Sequence, residues 1–499
     1  MAEKIDTIVA PERAVRSAFK RYFPNVVGLL VNLVMTGCSM QPLYQEPHVR
    51  LPAAWQAPQP PQPHGGSREQ LRNWWARFDD PLLVRLIRAA EDNSPSLAQT
   101  VARIEGARAK LGTSAAAAGP SASGTVAASR ALNVDSQRDG LDASWEIDLF
   151  GKLRKGSEAA EARLTARTHD WHEARVTLAA EVADTYVQFL GCRMLEQAYL
   201  NEAKSLETTE RITSAAINAG LTARADGDLA QANKASARMS AVNQNTECVL
   251  LLKAMVALTS IDETELRKMV DETAPAIRTP AGIAVSSVPT DLLRQRPDLA
   301  ALERTLAAAY ADVGQADAER YPSLSLGGSI TLSASSLLSA ATTWSFGPTL
   351  SLPLFDGGKR KTAVVSAQAL HYEALASYRN AVNSAVKEVE LALARLDGAA
   401  RRNDDAERAA QGMRRYFEAT EKNWQVGNAN LLTLEVVRRS AIETESARIG
   451  LQRDRLRYCV ALYKALGGGW NDERDALASV PFMTNRFAAA ASAKAIQNK

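Results

Sequence analysis

The chain has 499 residues, of which 23% are charged, and 59 Lys plus Arg against 56 Asp plus Glu leave a net charge of only +3. That length allows several domains with large cores and no disulfide scaffold, and a near-neutral balance without a polybasic tract lacks the electrostatic footprint of a nucleic-acid binder. Aromatics are 6% while alanine is abundant, which suits long, closely packed helices, and five His with four Cys leave little material for metal or nucleophile chemistry.

Lys20 and Arg21 precede an apolar stretch from Val26 to Met35, interrupted by Gly28 and Asn32, that closes in Thr36 and Gly37 before Cys38. This is the layout of a secretory signal over residues 1–37. It is too short for a membrane-spanning helix, which needs about 20 apolar residues. Met35 to Cys38 resembles the lipobox of bacterial lipoproteins, where cleavage leaves the Cys at the new N-terminus to carry acyl chains. The other reading of Cys38 is a buried cysteine after a chance apolar run; the basic flank, the run and the small residues jointly oppose it. Ser39, by the same resemblance, directs export to the outer membrane. Cys192, Cys248 and Cys459 remain, an odd number without CxxC spacing. No disulfide framework is expected, and each is predicted as a small buried residue on a helix.

Pro52 to Gly66 is rich in Pro and Gly and predicts an extended linker, so residues 38–92 form an anchor, linker and N-terminal segment. Beyond it the chain repeats itself. Residues 95–121 align with 297–323, pairing Pro95 with Pro297, Gly112 with Gly314 and Pro120 with Pro322; further on, Glu181 and Val182 match Glu388 and Val389, and Gly220 matches Gly427. This predicts an internal duplication: repeat 1 over 93–289, repeat 2 over 290–470, and a C-terminal tail over 471–499. Each repeat reads helix, hairpin, very long helix, turn, helix.

The hairpins are expected at about 121–150 and 321–355. Leu141, Ala143, Trp145, Ile147 and Leu149 alternate with polar residues, as do Leu324 to Leu332 and Trp344 to Leu354. Tyr321 to Phe355 contains no charged residue. As a helix this stretch would be polar all round; as strands it has one face for lipid and one for a lumen. Ser121 to Val134 is the weakest strand, broken by Arg130. Four strands per protomer cannot close a barrel, and a bilayer does not tolerate open edges, so at least two copies must assemble.

After the first hairpin, Lys152 to Ala219 holds no Pro, and Leu164, Trp171, Leu178, Thr185, Cys192, Tyr199 and Leu206 recur every seven residues as a coiled-coil seam. Tyr378, Ala385, Ala392, Ala399, Ala406 and Met413 form the matching seam in the second repeat. A helix of that length extends on the order of 100 Å, far beyond one bilayer, and must cross an aqueous compartment.

His169, Asp170, His172 and Glu173 are the one tempting ligand cluster, but the spacing is not that of a metalloprotease helix, and a solvated helix face beside Trp171 is expected instead of a metal site. No phosphate-cradling loop or nucleophile elbow is found, so neither an enzyme nor a cofactor is predicted beyond lipid on Cys38.

Asn73-Trp74-Trp75 with Phe78, Asp80 and Pro81; Trp145 to Gly151; Asp291-Leu292-Leu293 with Arg296 to Leu299, Gly314 and Tyr321-Pro322; and Tyr463 to Trp470 together resemble the TolC-type outer-membrane efflux factors, in their NodT-type lipoprotein branch. The resemblance spans nearly all of the chain after Cys38. It implies a mainly α fold with membrane β: a homotrimer whose long α-helical barrel is continuous with a twelve-strand transmembrane β-barrel. It also implies a passive exit duct in the outer membrane, anchored by lipid, extending into the periplasm and served by a periplasmic adaptor protein and an inner-membrane transporter. Leu432 matches the family's apolar gate position, where helix packing is an equal reading. The acidic gate position falls on Val436, a departure, and Glu435 beside it is the candidate gate charge, with Leu432 and Asp226 as the other candidate gate residues. Asp226 matches an acidic position whose basic partner is replaced by Ala429. The turns at Gly220-Leu221 and Val426-Gly427 resemble the tips that meet the adaptor, and each Gly also reads as a helix C-terminal residue. The alternative is a periplasmic, outer-membrane-anchored coiled-coil scaffold without a pore, which would need the helices and anchor but not the hairpins.

Overall fold

The computed structural model describes residues 42–49, 52, 55–57, 71, 74–131, 134–272, 277, 295–336 and 339–469. The signal, Cys38, most of the linker, Asn73, Asp291 to Leu293, Trp470 and the tail lie outside them. Helices are α1 (Pro81–Asn93), α2 (Pro95–Ala117), α3 (Lys152–Asn218), α4 (Arg224–Thr259), α5 (Glu263–Asp271), α6 (Pro297–Ala318), α7 (Lys359–Gln425) and α8 (Leu431–Ala465); strands are β1 (Ser121–Ala131), β2 (Val134–Ile147), β3 (Ser323–Ser335) and β4 (Ala341–Ser351). No helix among the described residues is long and apolar enough to cross a membrane. The long helices α3 and α7 have 67 residues each and start 207 residues apart.

The chain divides into two compact units. One comprises 1–47, 105–165 and 303–377 and contains the sheet. Its four strands are antiparallel in the order β1-β2-β3-β4, so β1 and β4 each have one unpaired edge. Register separates the faces. On one, Ala143 sits between Ala122 and Gly328, Leu141 between Gly124 and Ile330, and Trp344 and Phe346 continue the row from Ile330 and Gly328. On the other, Asp142 lies between Ser123 and Ser329, and Glu146 faces Ser325 and then Thr349. Val126, Leu141, Trp145, Ile330, Leu332, Trp344, Phe346 and Leu350 are all exposed.

The hairpins stand where alternation placed them, with corrected ends. Val134 begins β2 opposite Ala131 instead of ending β1, and Arg130, read as a break, lies within β1 and pairs across the hairpin with Asp135 at 3.4 Å. β2 stops at Ile147 and β4 at Ser351, leaving Leu149, Leu352 and Leu354 beyond the ladders. Both long helices start from the same device: Asp148 accepts from Leu153 and Arg154 N–H, and Asp356 from Gly358 and Arg360 N–H, meeting donors that the first turn leaves unpaired.

The second unit comprises 48–104, 166–302 and 378–499. Its core joins Trp74, Leu83 and Leu86 to Val182, Tyr186 and Phe189 of α3, Leu252 and Met255 of α4, Leu393 of α7, and Leu462 and Leu466 at the end of α8. Asp80 caps α1 through Leu82 and Leu83 N–H and accepts a 2.8 Å bond from Tyr186 Oη, which orients that helix on α3. Arg296, buried, donates to Asp298 (2.7 Å), Glu388 (2.8 Å) and the Ala465 carbonyl (3.0 Å), tying the start of α6 to α7 and α8. Gln56 and Ala57 N–H both donate to the Glu390 carboxylate, at 2.7 and 2.8 Å, strapping the N-terminal segment to α7.

Three sequence expectations are corrected here. The α3 seam is not a narrow stripe: between Val176 and Cys192 the helix is buried on several sides, because α1, α4, α7 and α8 all pack on it. His169 and His172 are buried and not on a solvated face, while Asp170 between them pairs with Arg167 at the surface. Cys192 and Cys248 form a disulfide with Cα atoms 5.6 Å apart, since antiparallel α3 and α4 bring positions 56 residues apart face to face. Cys459 is free and buried, and burial pushes its thiol up to about 12.

Candidate channel tip

The α3–α4 and α7–α8 turns, both in the second unit, are built alike. Gly220 (φ 71°) donates to Ile217 O and Leu221 to Ala216 O; Gly427 (φ 83°) donates to Trp424 O and Asn428 to Asn423 O. These are Schellman caps, in which a left-handed Gly lets the last carbonyls find donors. They leave Leu221 and Val426 projecting into solvent. Asn430 restarts α8 by accepting from Thr433 N–H at 2.8 Å.

A small core ties the turns together: Ala230 of α4 packs with Leu431 and Leu434 of α8, flanked by Leu229, Phe417 and Trp424. α3 and α4 approach so closely that a Cβ on Gly227 would lie 2.6 Å from Ile217 Cδ1. Beyond them the first hairpin is laced by Lys234–Glu210 and Arg238–Glu207, both at 3.0 Å.

α8 presents two different faces. Leu432 and Val436, one turn apart, are exposed. Glu435 and Arg438 point inward, 8% and 4% exposed, with 3.3 Å between Arg438 Nε and the carboxylate. Arg438 donates to Thr209 Oγ1 at 2.8 Å and to Ser205 Oγ, and its guanidinium lies 4.9 Å from the Phe417 ring centre. Ser205 in turn donates to Glu421 at 3.0 Å. One arginine thereby joins α8 to α3 and, through Ser205, to α7.

Burial raises the Glu435 carboxyl above its ordinary range, an effect that Arg438 opposes. Glu202 is raised by burial as well, with Arg438 opposing and Glu435 adding to the shift. A buried ion pair of this kind costs heavily if one partner is lost.

Sequence reading placed Leu432, Glu435, Asp226 and the two turns near one another, and the structure brings all of them to this region. It gives them different settings. Asp226 accepts a 2.5 Å bond from Thr222 Oγ1 and places an acidic group in the first turn of α4, at the favourable end of the helix dipole. Glu435 faces Arg438 inside the bundle while Val436 is outward. Arg438, Glu202 and Thr209 were not found from sequence; the only local signal was the i,i+3 spacing of Glu435 and Arg438.

Residues 86–260 and 288–468 match the model of the family described as outer membrane efflux protein. Outer membrane protein OprJ of Pseudomonas aeruginosa is 30% identical over 476 residues, covering 90% of this chain and 96% of that protein. The pyoverdine export outer membrane protein OpmQ of Pseudomonas aeruginosa is 29% identical over 436 residues, covering 82% and 90%. Among solved structures, the open state of the MtrE outer membrane channel of Neisseria gonorrhoeae superposes with a TM-score of 0.72 at 26% identity, covering 87% of this chain and 98% of that one.

Proposed function

The chain belongs to the outer membrane efflux protein family and is the outer-membrane channel of a tripartite efflux system, and we propose that it works as a homotrimer of internally duplicated protomers. The observation that carries assembly into a closed ring is the sheet: four strands with an exposed apolar face, a polar face and two unpaired edges. In a bilayer such edges must close. Three copies give a twelve-strand barrel, with apolar residues toward lipid and the Ser, Thr, Asp and Glu face toward the lumen. Equal long helices, equal turn chemistry and a family model that matches twice support the duplication.

The duct is passive and performs no catalysis; a periplasmic adaptor and an inner-membrane transporter supply energy and selectivity. Leu432 and Val436 form its apolar constriction, two rings in which each copy places one residue. Glu435 and Arg438 brace that helix from behind, and Asp226 ties the first turn of α4 to Thr222. Leu221 and Val426, beside Gly220 and Gly427, meet the adaptor. Cys38, freed by removal of residues 1–37, carries the lipid that adds an anchor to the barrel. The pore-free scaffold accounts for the helices but leaves the exposed apolar sheet face without a role.

The test is the mass of the protein in detergent with single-channel conductance in planar bilayers. A trimer with discrete openings, larger when Leu432 and Val436 are replaced by Ser, is expected. A monomer or dimer, or a trimer silent even in that variant, overturns the reading.

A further inference from the structure

The bond between Cys192 and Cys248 joins α3 to α4 within the core of the second unit, where both sulfurs are almost wholly enclosed. Gln244 Nε2 donates to Cys192 Sγ at 2.9 Å, and Asn245 reaches Glu196 at 2.6 Å, so polar contacts flank the bond on the same helix pair. From there to the turn, the buried residues of α4 are Ala241, Ala237 and Ala230. Alanine surfaces let helices approach closely but offer little to stop one from sliding along the other. Arg238–Glu207 and Lys234–Glu210, which also link that stretch to α3, are partly exposed ion pairs of small worth.

We propose that Cys192 and Cys248 are a maturation site, oxidised by a dithiol–disulfide oxidoreductase of the envelope before α3 and α4 close on each other, and that the bond fixes the axial register of the first hairpin at the channel tip. The proposal rests on the envelope location in the preceding section. In the first step the Cys192 or Cys248 thiolate attacks one sulfur of the oxidant's disulfide, forming a mixed disulfide and releasing the oxidant's other sulfur as thiolate. The second cysteine thiolate then displaces the oxidant. Two electrons pass from the cysteine pair to the oxidant, which leaves as a dithiol carrying the two protons. The geometry sets the order of events: once the helices have closed, neither sulfur is open to an attacking thiolate. Oxidation therefore precedes closure, and reduction of the folded protein is slow.

The experiment uses the full-length protein taken from outer membranes, denatured at lysis in an alkylating agent and digested with trypsin without reductant. The expected product links the peptide Val176–Arg193 to Met239–Lys253, and reductant separates the two. The peptide Tyr458–Lys464, carrying alkylated Cys459, reports that blocking was complete. Both cysteine peptides recovered singly and alkylated would overturn the proposal, and because conductance is not the readout, this failure is distinct from failure of the channel reading. The linked species should fall at least tenfold in cells lacking the envelope dithiol oxidant; an unchanged yield refutes the oxidant step.

The register role is read from trypsin cleavage after Arg224, beside the turn, in assembled protein. A Cys192→Ser, Cys248→Ser variant should be cut about tenfold faster than the parent, and equal rates would refute the restraint. Where the serine pair fails to assemble, the space-filling pair Cys192→Ala, Cys248→Val is measured against the same outcomes.

Discussion

Arg438 of α8 donates to Thr209 Oγ1 of α3 at 2.8 Å while its Nε lies 3.3 Å from the Glu435 carboxylate. The two helices are far apart in sequence, and this guanidinium is a polar tie between them inside the tip. It donates to hydroxyls on α3 and pairs with a carboxylate on its own helix at once, a division of contacts that suits the several donors of a planar guanidinium.

Replacing Arg438 with Leu leaves Glu435 buried without its cation. The expected cost is about 3–5 kcal/mol of local stability, seen as faster amide hydrogen exchange in the first turns of α8. Pairing it with Glu435→Leu should restore much of the loss, because a packed apolar pair replaces the ion pair. A single Arg438→Leu variant with unchanged exchange would show that the cluster is not holding the helix.

The same cluster predicts a pH dependence. Burial raises Glu435, and likewise Glu202, against the pull of Arg438. Between the unfolded carboxylate value of about 4.3 and the raised folded one, the folded state holds protons that the unfolded chain has lost. The stability these groups contribute is thus greatest below the unfolded value and falls as pH rises through the folded value. Exchange protection of α8, corrected for intrinsic rates, should decline across that window, and Glu435→Gln should flatten the decline.

On the sheet, Leu350 lies opposite Leu324 on the apolar face. Leu350→Arg should cost roughly 2–4 kcal/mol near the membrane midplane and less near its edge, read as a fall in assembled protein recovered from outer membranes. Thr349→Arg, on the facing side of the same strand, should assemble. Equal yields from the two would reverse the assignment of faces.

Gly467 has φ 88°, and a Cβ there would sit 2.8 Å from the Gln295 carbonyl oxygen and 2.9 Å from Arg296 Cα. Backbone cannot move aside as a side chain can, so Gly467→Ala should destabilise by about 1–3 kcal/mol. It should also loosen the Arg296 bond to Ala465 O. A thermal scan of the assembled protein that matches the parent would mean the turn has room to adjust.

The sheet and the long helices were legible because their signals are local. Alternation of period two put Leu141, Ile330 and Trp344 on one face, and the absence of proline after Lys152 announced an uninterrupted helix. The turns were legible because Gly220 and Gly427 occupy the one kind of position where a left-handed residue is required. The hidden parts depend on pairing between distant segments. Thr209 and Arg438 are 229 residues apart, and Cys192 meets Cys248 only because the register of two antiparallel helices places them so. The histidines of α3 were misread because, on a helix packed by neighbours on several sides, the sequence does not say which polar residues share the narrow wet face: Arg167 and Asp170 reach it, and His169 and His172 do not. The inward setting of Glu435 beside Arg438 was not legible, because the sequence around it does not say which way one turn of α8 faces.

The unpaired edges of β1 and β4 have a consequence for inheritance as well as for structure. On the proposed three-fold closure, every ring would need three sound copies, since each β1 edge would have to find the β4 edge of another. A cell making equal amounts of sound chain and of chain that assembles but cannot conduct would build only about one in eight rings from sound copies alone. A lesion in the constriction would thus be dominant, poisoning rings it joins, whereas a lesion that destroys an edge would exclude itself from assembly and be recessive.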